Sequence, residues 1–254
     1  MLQGMVGVGT GIITVPVLTF ILPHYGVSPN NAIHFALATS MAAIASNSIS
    51  ALISHHRRGN IKWSIFKKLI FSSIVGSCLG AVAASHLPGM YLQIIFGLFL
   101  LCNAALMLFK KSLLTMPDTE PTLSFQKATA GGIVIGFIAS IVGSGGGILM
   151  VPFLQTLQLK MRYVVGTSTL IAFPVAVVGA VTYSLIGLTK VKLGFHTIGY
   201  LDWPVFLAIS AAGISAAPIG VKLATRIPAH FLQRLFAICM IVIGIRMIWV
   251  VFPM

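Results

Sequence analysis

Hydrophobic residues in this chain do not alternate with polar ones. They run on in long blocks separated by short polar stretches, and the blocks cover roughly residues 1–21, 31–54, 64–87, 90–109, 127–158, 163–188, 199–224 and 229–252. Most come close to the ~20 apolar residues that cross a bilayer as a helix, in which every backbone polar group is paired inside the segment. The period-two alternation of a membrane β-barrel is missing. The pattern predicts an all-α polytopic membrane protein with about eight membrane segments. Composition agrees: 57% of residues are hydrophobic and 7% charged, against ~25% charged in soluble domains. So few charges cannot cover a water-facing surface.

The block at 127–158 numbers about 32 residues, too many for one straight span at 1.5 Å per residue. It must break at its "GSGGG". Either the helix unwinds there and continues outward, or the chain folds back as a re-entrant hairpin. The first course gives four spans per half and parallel repeats. The second gives an odd count and inverted repeats. The first is the expectation, because it agrees with the charge distribution below.

The longest polar connection, "KKSLLTMPDTEPTLSFQK" at 110–127, holds two of the three acids and two prolines. It reads as a linker between a first transmembrane repeat, 1–109, and a second, 128–254. The halves match in register. At an offset of 136, Gly7, Gly9, Gly11 and Pro16 fall on Gly143, Gly145, Gly147 and Pro152. At an offset of 140, Trp63, Gly80, Pro88 and Gln93 fall on Trp203, Gly220, Pro228 and Gln233. At 128, Thr39-Ser40 falls on Thr167-Ser168. Matches of Trp, Pro, Gln and Gly carry weight that matches of Leu in an apolar chain do not. Such duplication is common in secondary transporters, whose sites lie between the repeats near the bilayer midplane.

The net charge is +13, from 16 Lys and Arg against 3 Asp and Glu. Nucleic acid is not the implied partner, because the cations cluster at the ends of apolar blocks, where they orient the chain in lipid. If every block crosses once, Arg57, Arg58, Lys62, Lys67, Lys68, Lys110, Lys111, Lys127, Lys190, Lys192 and Arg246 share one side, leaving five cations on the other. The richer side is then cytoplasmic, with both termini inside, in a bacterial inner membrane. The acids are Asp118, Glu120 and Asp202, and none lies within an apolar block. That removes the usual carboxylate proton relay and suits an anionic solute. Cys78, Cys102 and Cys239 sit singly in apolar runs, so no metal or other cofactor is expected. No basic leader precedes a cleavage site at the N-terminus, so no removable signal is expected.

Two phrases carry the candidate chemistry, "GVGTGIITVPVL" from Gly7 and "GSGGGILMVPFL" from Gly143. Each glycine costs a helix ~1 kcal/mol relative to Ala, so Gly7, Gly9 and Gly11, and Gly143, Gly145, Gly146 and Gly147, should interrupt it. Unwound backbone is tolerated in lipid only when buried in protein or lining a wet cavity, and glycine lets a solute approach the main chain. The apolar residues that follow can restart a helix, whose free N–H groups favour negative charge. Thr10 and Ser144 can add hydroxyl donors. The competing explanation is close helix packing through small residues.

Thr39, Ser40, Thr167 and Ser168 follow the phrases and are further candidate donors, although a membrane Ser or Thr often bonds its own preceding turn. No Lys or Arg lies at midplane depth. Two facing helix ends offset roughly one negative charge, so a monoanion, or a dianion moving with a proton or cation, is expected. His34 is the one ionisable group inside its block. It reads either as a structural interfacial residue or as a proton carrier. Trp63 and Trp203 read as interfacial anchors. A P-loop is excluded because neither phrase carries the required lysine. A serine protease dyad through Ser144 lacks a facing histidine at depth, so no enzyme is expected.

The two phrases, with "GTSTL" at 166–170, "ATSMAAI" at 38–44 and the basic loop "HHRRGNIKW" at 55–63, resemble the sulfite exporter TauE/SafE family of membrane permeases. The first phrase departs in having Thr10 where a glycine is usual. The resemblance implies a secondary transporter for a small sulfur-containing anion such as sulfite, a sulfonate or thiosulfate. An anion channel with the same lining, and a membrane enzyme or assembly subunit, are the alternatives.

Overall fold

The computed structural model describes residues 11–109, 123–191, 197–226 and 229–251, with backbone alone for Phe109, 216–226 and 229–233. The apolar blocks form helices α1 (Gly11–Ile21), α2 (Pro29–Arg57), α3 (Trp63–His86), α4 (Gly89–Phe109), α5 (Phe125–Val142), α6 (Gly147–Gln155), α7 (Met161–Lys190), α8 (Trp203–Arg226) and α9 (Ala229–Trp249). A short 3-10 turn, Leu22–Tyr25, joins α1 to α2. A two-stranded ribbon pairs β1 (Thr197–Ile198) with β2 (Leu201–Asp202) just before α8. Among the described residues, α2, α3, α4, α5 and α7 are each long and apolar enough to cross a membrane. Large side chains such as Phe71, Leu79, Leu98 and Leu106 stay exposed on their outer faces. In water such a surface would drive association; in lipid it is the solvated face.

The course of the chain differs from the expected continuous broken helix. After α5 the backbone turns through Gly143 (φ 64°), Gly145 (φ 66°) and Gly146 (φ 83°), all left-handed. A left-handed residue costs an L side chain roughly 1–2 kcal/mol, and glycine avoids that cost. The three together reverse the chain. Gly146 returns beside Ala139 and Ile135, and Gly131, two turns earlier in α5, lies against the Phe153 ring of α6. Residues 125–155 are therefore a re-entrant hairpin with "GSGGG" at its tip. This overturns the even-span course and, with it, the partition of charges.

Contacts fix the two ends of the bundle. At one end, the Lys62 N–H donates to Thr167 Oγ1 at 3.0 Å and Lys68 Nζ donates to the Leu123 carbonyl at 3.0 Å. The ends of α2 and α6 and the starts of α3, α5 and α7 meet there. At the other end, Lys190 Nζ donates to the Ser85 carbonyl at 2.7 Å, and the ribbon packs on Gly187 and Ser184 near the end of α7. Arg246, in the last turn of α9, sits 4.3 Å from the Phe20 ring centroid near the end of α1. Of the cations with described side chains, Arg57, Arg58, Lys62, Lys67, Lys68, Lys127, Lys160, Arg162 and Arg234 belong to the Lys62 end, and Lys190 and Arg246 to the other. The hairpin brings Lys160 and Arg162 to the Lys62 end and sends Lys190 away from it. The C-terminal end of α9 thus lies opposite the Lys62 end, not beside it as an even number of spans required. The N-terminal residues expected on that side lie outside the described residues.

The interior is held by small residues. In α3, Gly76 and Gly80 lie against the backbone of Ile133 and Phe137, and in α5, Gly136 lies against the Ser73 carbonyl. No Cβ fits at any of these contacts. The two helices run side by side at backbone contact, where dispersion rather than water drives association. Helices α4 and α9 meet in the same way at Gly97 and Gly244.

Candidate functional site

The glycine tip lies inside the bundle, and both phrases converge on it. Gly11, the last glycine of the first phrase, abuts the Gly143 carbonyl of the second; a Cβ there has no room. Ser40 Oγ donates to that same carbonyl at 3.0 Å. Gly143 itself lies against Leu37 and Val15, and Gly145 against Ile44. Gly7, Gly9 and Thr10 lie outside the described residues.

Local chemistry explains the tip. Helix α5 ends because Gly143 is left-handed, and the N–H groups of Gly143 and Ser144 bond back to Ser140 and Ala139 at 3.2 and 3.0 Å. This is a common way to satisfy the last carbonyls of a helix. Helix α6 starts at Gly147, after Gly146, and the first backbone bond spanning its start is Met150 N–H to Gly146 carbonyl at 2.9 Å. The N–H groups of Gly147, Ile148 and Leu149 precede any intrahelical partner. They carry the positive end of the helix dipole. Beside them, Ser144 is 1% exposed and its Oγ has no hydrogen-bond partner. An unpaired buried hydroxyl costs about 1–3 kcal/mol, so among the described residues the tip holds at least one donor without a partner, the Ser144 hydroxyl.

A cluster of hydroxyls gathers at Ser140, in the last turn of α5 before the tip, and the sequence patterns did not single it out. Ser77 Oγ donates to the Val175 carbonyl at 2.8 Å and lies 2.8 Å from Ser140 Oγ; Tyr183 donates to the Ser140 carbonyl at 3.0 Å. Ser77, Ser140 and Tyr183 are fully buried, as is Ser73, whose Oγ is unpaired. The available signal was Tyr183, placed mid-helix rather than at an interface. Ser77 and Ser140 carry no such signal, because their partners lie on other helices.

The threonines accept hydrogen bonds inside the protein. Thr39 Oγ1 accepts the Asp202 N–H at 3.3 Å, and Thr167 Oγ1 accepts the Lys62 N–H at 3.0 Å. Each clasps the residue just before a tryptophan that starts a helix, Trp203 or Trp63. The clasps stand at opposite ends of the bundle. Asp202 also caps α8, its carboxylate accepting the Val205 N–H at 3.1 Å. Ser168 is buried and bonds its own helix at Val165, 2.9 Å. Ser40 and the Gly143–Gly147 run are thus brought together with Gly11, while Thr39, Thr167 and Ser168 form bonds within the protein. Among the described residues no group of His, Cys, Asp and Glu could hold a metal ion. A groove of about 480 Å³ between α2, α7 and the ribbon is lined by residues such as Ile49, Val177, Leu188 and Phe206. It offers an anion little.

Comparison with known proteins identifies the family. The sequence profile of the family described as "Sulfite exporter TauE/SafE" matches residues 1–247. A "Probable membrane transporter protein" of Haemophilus influenzae is 27% identical over 248 residues, covering 97% of this chain and 92% of the relative. Similarly named proteins of Methanocaldococcus jannaschii and Bacillus subtilis are each 26% identical, covering 97% of this chain and 90% and 94% of their own lengths. No solved structure matches. With its long apolar helices and a profile match over nearly its whole length, the chain belongs to the sulfite exporter TauE/SafE family and is a multi-pass membrane permease.

Proposed function

We propose that the protein is a secondary permease that moves a small sulfur-containing anion, such as sulfite, thiosulfate or a sulfonate, across a bacterial inner membrane by alternating access. The observation that carries this reading is the tip at Gly143–Gly147. There a buried, unpaired Ser144 hydroxyl stands beside the free N–H groups of α6. Such a site attracts an oxyanion without a permanent countercharge, and weak neutral donors also permit release. Gly11 and Ser40 shape the tip. Gly7, Gly9 and Thr10 are proposed to complete it from the first half.

The halves 1–109 and 128–254 are proposed to be inverted repeats. What supports this is the pair of threonine clasps: the offsets of 128 and 140 turn Thr39–Asp202 into Thr167–Lys62, and the two bonds sit at opposite ends. Alternating access would open one clasp at a time. The Lys62 end is proposed to face the cytoplasm, because nine of the eleven cations with described side chains gather there.

The test is a flux screen of sulfite, thiosulfate, sulfonates and sulfate in proteoliposomes. Saturable uptake of one or more sulfur anions is expected. Flux that stays linear with voltage and concentration would replace the carrier with a channel, and no flux of any of these anions would remove the substrate class.

A further inference from the structure

His34 lies in α2, 3% exposed, about two turns before Ser40. Both of its ring nitrogens meet backbone carbonyls. Nδ1 is 3.3 Å from the Asn30 carbonyl; Nε2 is 3.1 Å from that of Leu87 and 3.3 Å from that of Ala84. A neutral imidazole has one N–H and one lone pair. With carbonyls on both sides, either tautomer points its lone pair at an acceptor in a dry site. Only the imidazolium donates in both directions.

We infer that His34 is a proton-binding site, and, resting on the permease reading above, that it carries the proton that moves with the anion. The N-terminus of α6 offsets only about half a negative charge, and the described spanning helices contain no carboxylate that could carry a proton. His34 supplies that carrier. Its position also ties the proton to a gate. The Tyr200 ring stacks on the imidazole, centroids 5.2 Å apart and planes 23° from parallel. Tyr200 belongs to the ribbon whose Asp202 N–H is held by Thr39. The proton therefore holds three pieces together: α2, the end of α3 and the ribbon at the Lys190 end. Loss of the proton leaves one carbonyl contact unpaired and loosens that end.

Lys190 reaches the same corner from α7, its ammonium donating to the Ser85 carbonyl; its positive charge works against the imidazolium, which the carbonyls around the ring must offset. His86, on α3, is exposed and its Nδ1 faces the Val82 carbonyl. Burial pushes the Tyr200 phenol above its ordinary range, so it stays neutral. The Asp202 carboxylate, on the same ribbon, caps α8. Thus, among the described residues, no anion is engaged with His34, and its ring nitrogens meet carbonyls alone.

The first test is a nuclear magnetic resonance titration of ring-¹⁵N-histidine protein, full chain, in lipid nanodiscs. His34→Asn identifies the signal, with His34→Gln as the second variant if the first folds poorly. A titration over about pH 4 to 8 should show both ring nitrogens protonated at its acid end and reversible loss of one proton as the pH rises. A ring neutral throughout, or charged throughout, overturns the inference. The second test follows internal pH with a trapped dye while sulfite or thiosulfate enters proteoliposomes. Wild type should move protons with the anion, and His34→Asn or His34→Gln should pass the anion down its gradient with proton movement at the level of empty liposomes. Undiminished proton movement in both variants overturns the coupling role. If wild type moves none of these anions, the permease reading fails separately, while the titration still judges the proton site.

Discussion

Two regions of this molecule are rich in glycine, and they use it in opposite ways. At the α3–α5 contact, Gly76, Gly80 and Gly136 adopt ordinary helical conformations and are needed only because neighbouring backbone leaves no room for a Cβ. At the tip, Gly143, Gly145 and Gly146 are left-handed, and Gly146 has ordinary contact space. The first set is packing. The second sets the direction of the chain and exposes its N–H groups. The difference shows that a membrane glycine is identified by its φ and by the polar groups beside it, not by its spacing.

The largest expected effect separates the hairpin from a through-going helix. A reporter fused after Met254 and a second inserted in the 110–122 connection should report opposite sides of the membrane, with the connection cytoplasmic. Activity of both on one side would restore an even number of spans and remove the tip.

Next come the packing glycines. Gly136→Leu or Gly80→Leu forces a side chain into backbone, worse than the about 1–3 kcal/mol of ordinary overpacking. Loss of monodisperse protein in detergent is expected. Gly145→Ala should behave differently. It costs about 1–2 kcal/mol for the left-handed φ and presses on Ile44 Cγ2, 2.7 Å from the added carbon. A lowered melting temperature with folded protein and abolished anion flux is expected. If Gly145→Ala transports normally while Gly136→Leu is merely slowed, the contrast between the regions disappears.

The smallest effect belongs to the clasps. Thr167→Val removes one hydrogen bond, worth about 0.5–1.5 kcal/mol, and leaves the tip intact. A modest drop in melting temperature is expected, with the half-saturation concentration for uptake unchanged. A large rise in half-saturation would return Thr167 to the anion site.

Much of this fold was legible along the chain. Long apolar runs can only become helices in lipid, and the block at 127–158 was visibly too long for one span. The direction after the break was not legible. It depends on φ at three particular glycines, and a run of glycine permits both courses. The charge count followed the wrong course because Lys160, Arg162 and Lys190 change ends when the hairpin forms. Ser144 and Ser40, which the structure places at the glycine tip, could be picked out in the sequence because they adjoin or follow a repeated phrase. Ser77, Ser140 and Tyr183 were missed because their partners lie far away in sequence. The Thr39–Thr167 correspondence was visible, but that each hydroxyl holds a backbone N–H across the molecule required the tertiary structure.

Ser144→Ala probes the tip most directly. Ser144 is not left-handed, so alanine fits its backbone and only the unpaired Oγ is lost. Removing a buried hydroxyl without a partner should leave thermal stability unchanged or raise it. If that hydroxyl holds the anion, the lost bond to a charged group, worth about 1.5–3 kcal/mol, should raise the half-saturation concentration for uptake roughly ten- to a hundredfold. The measurement is the concentration dependence of sulfite and thiosulfate uptake into proteoliposomes, wild type against Ser144→Ala, alongside their melting curves. Weaker uptake from a protein at least as stable is the expected result; an unchanged half-saturation value would contradict the placement of the anion at the glycine tip.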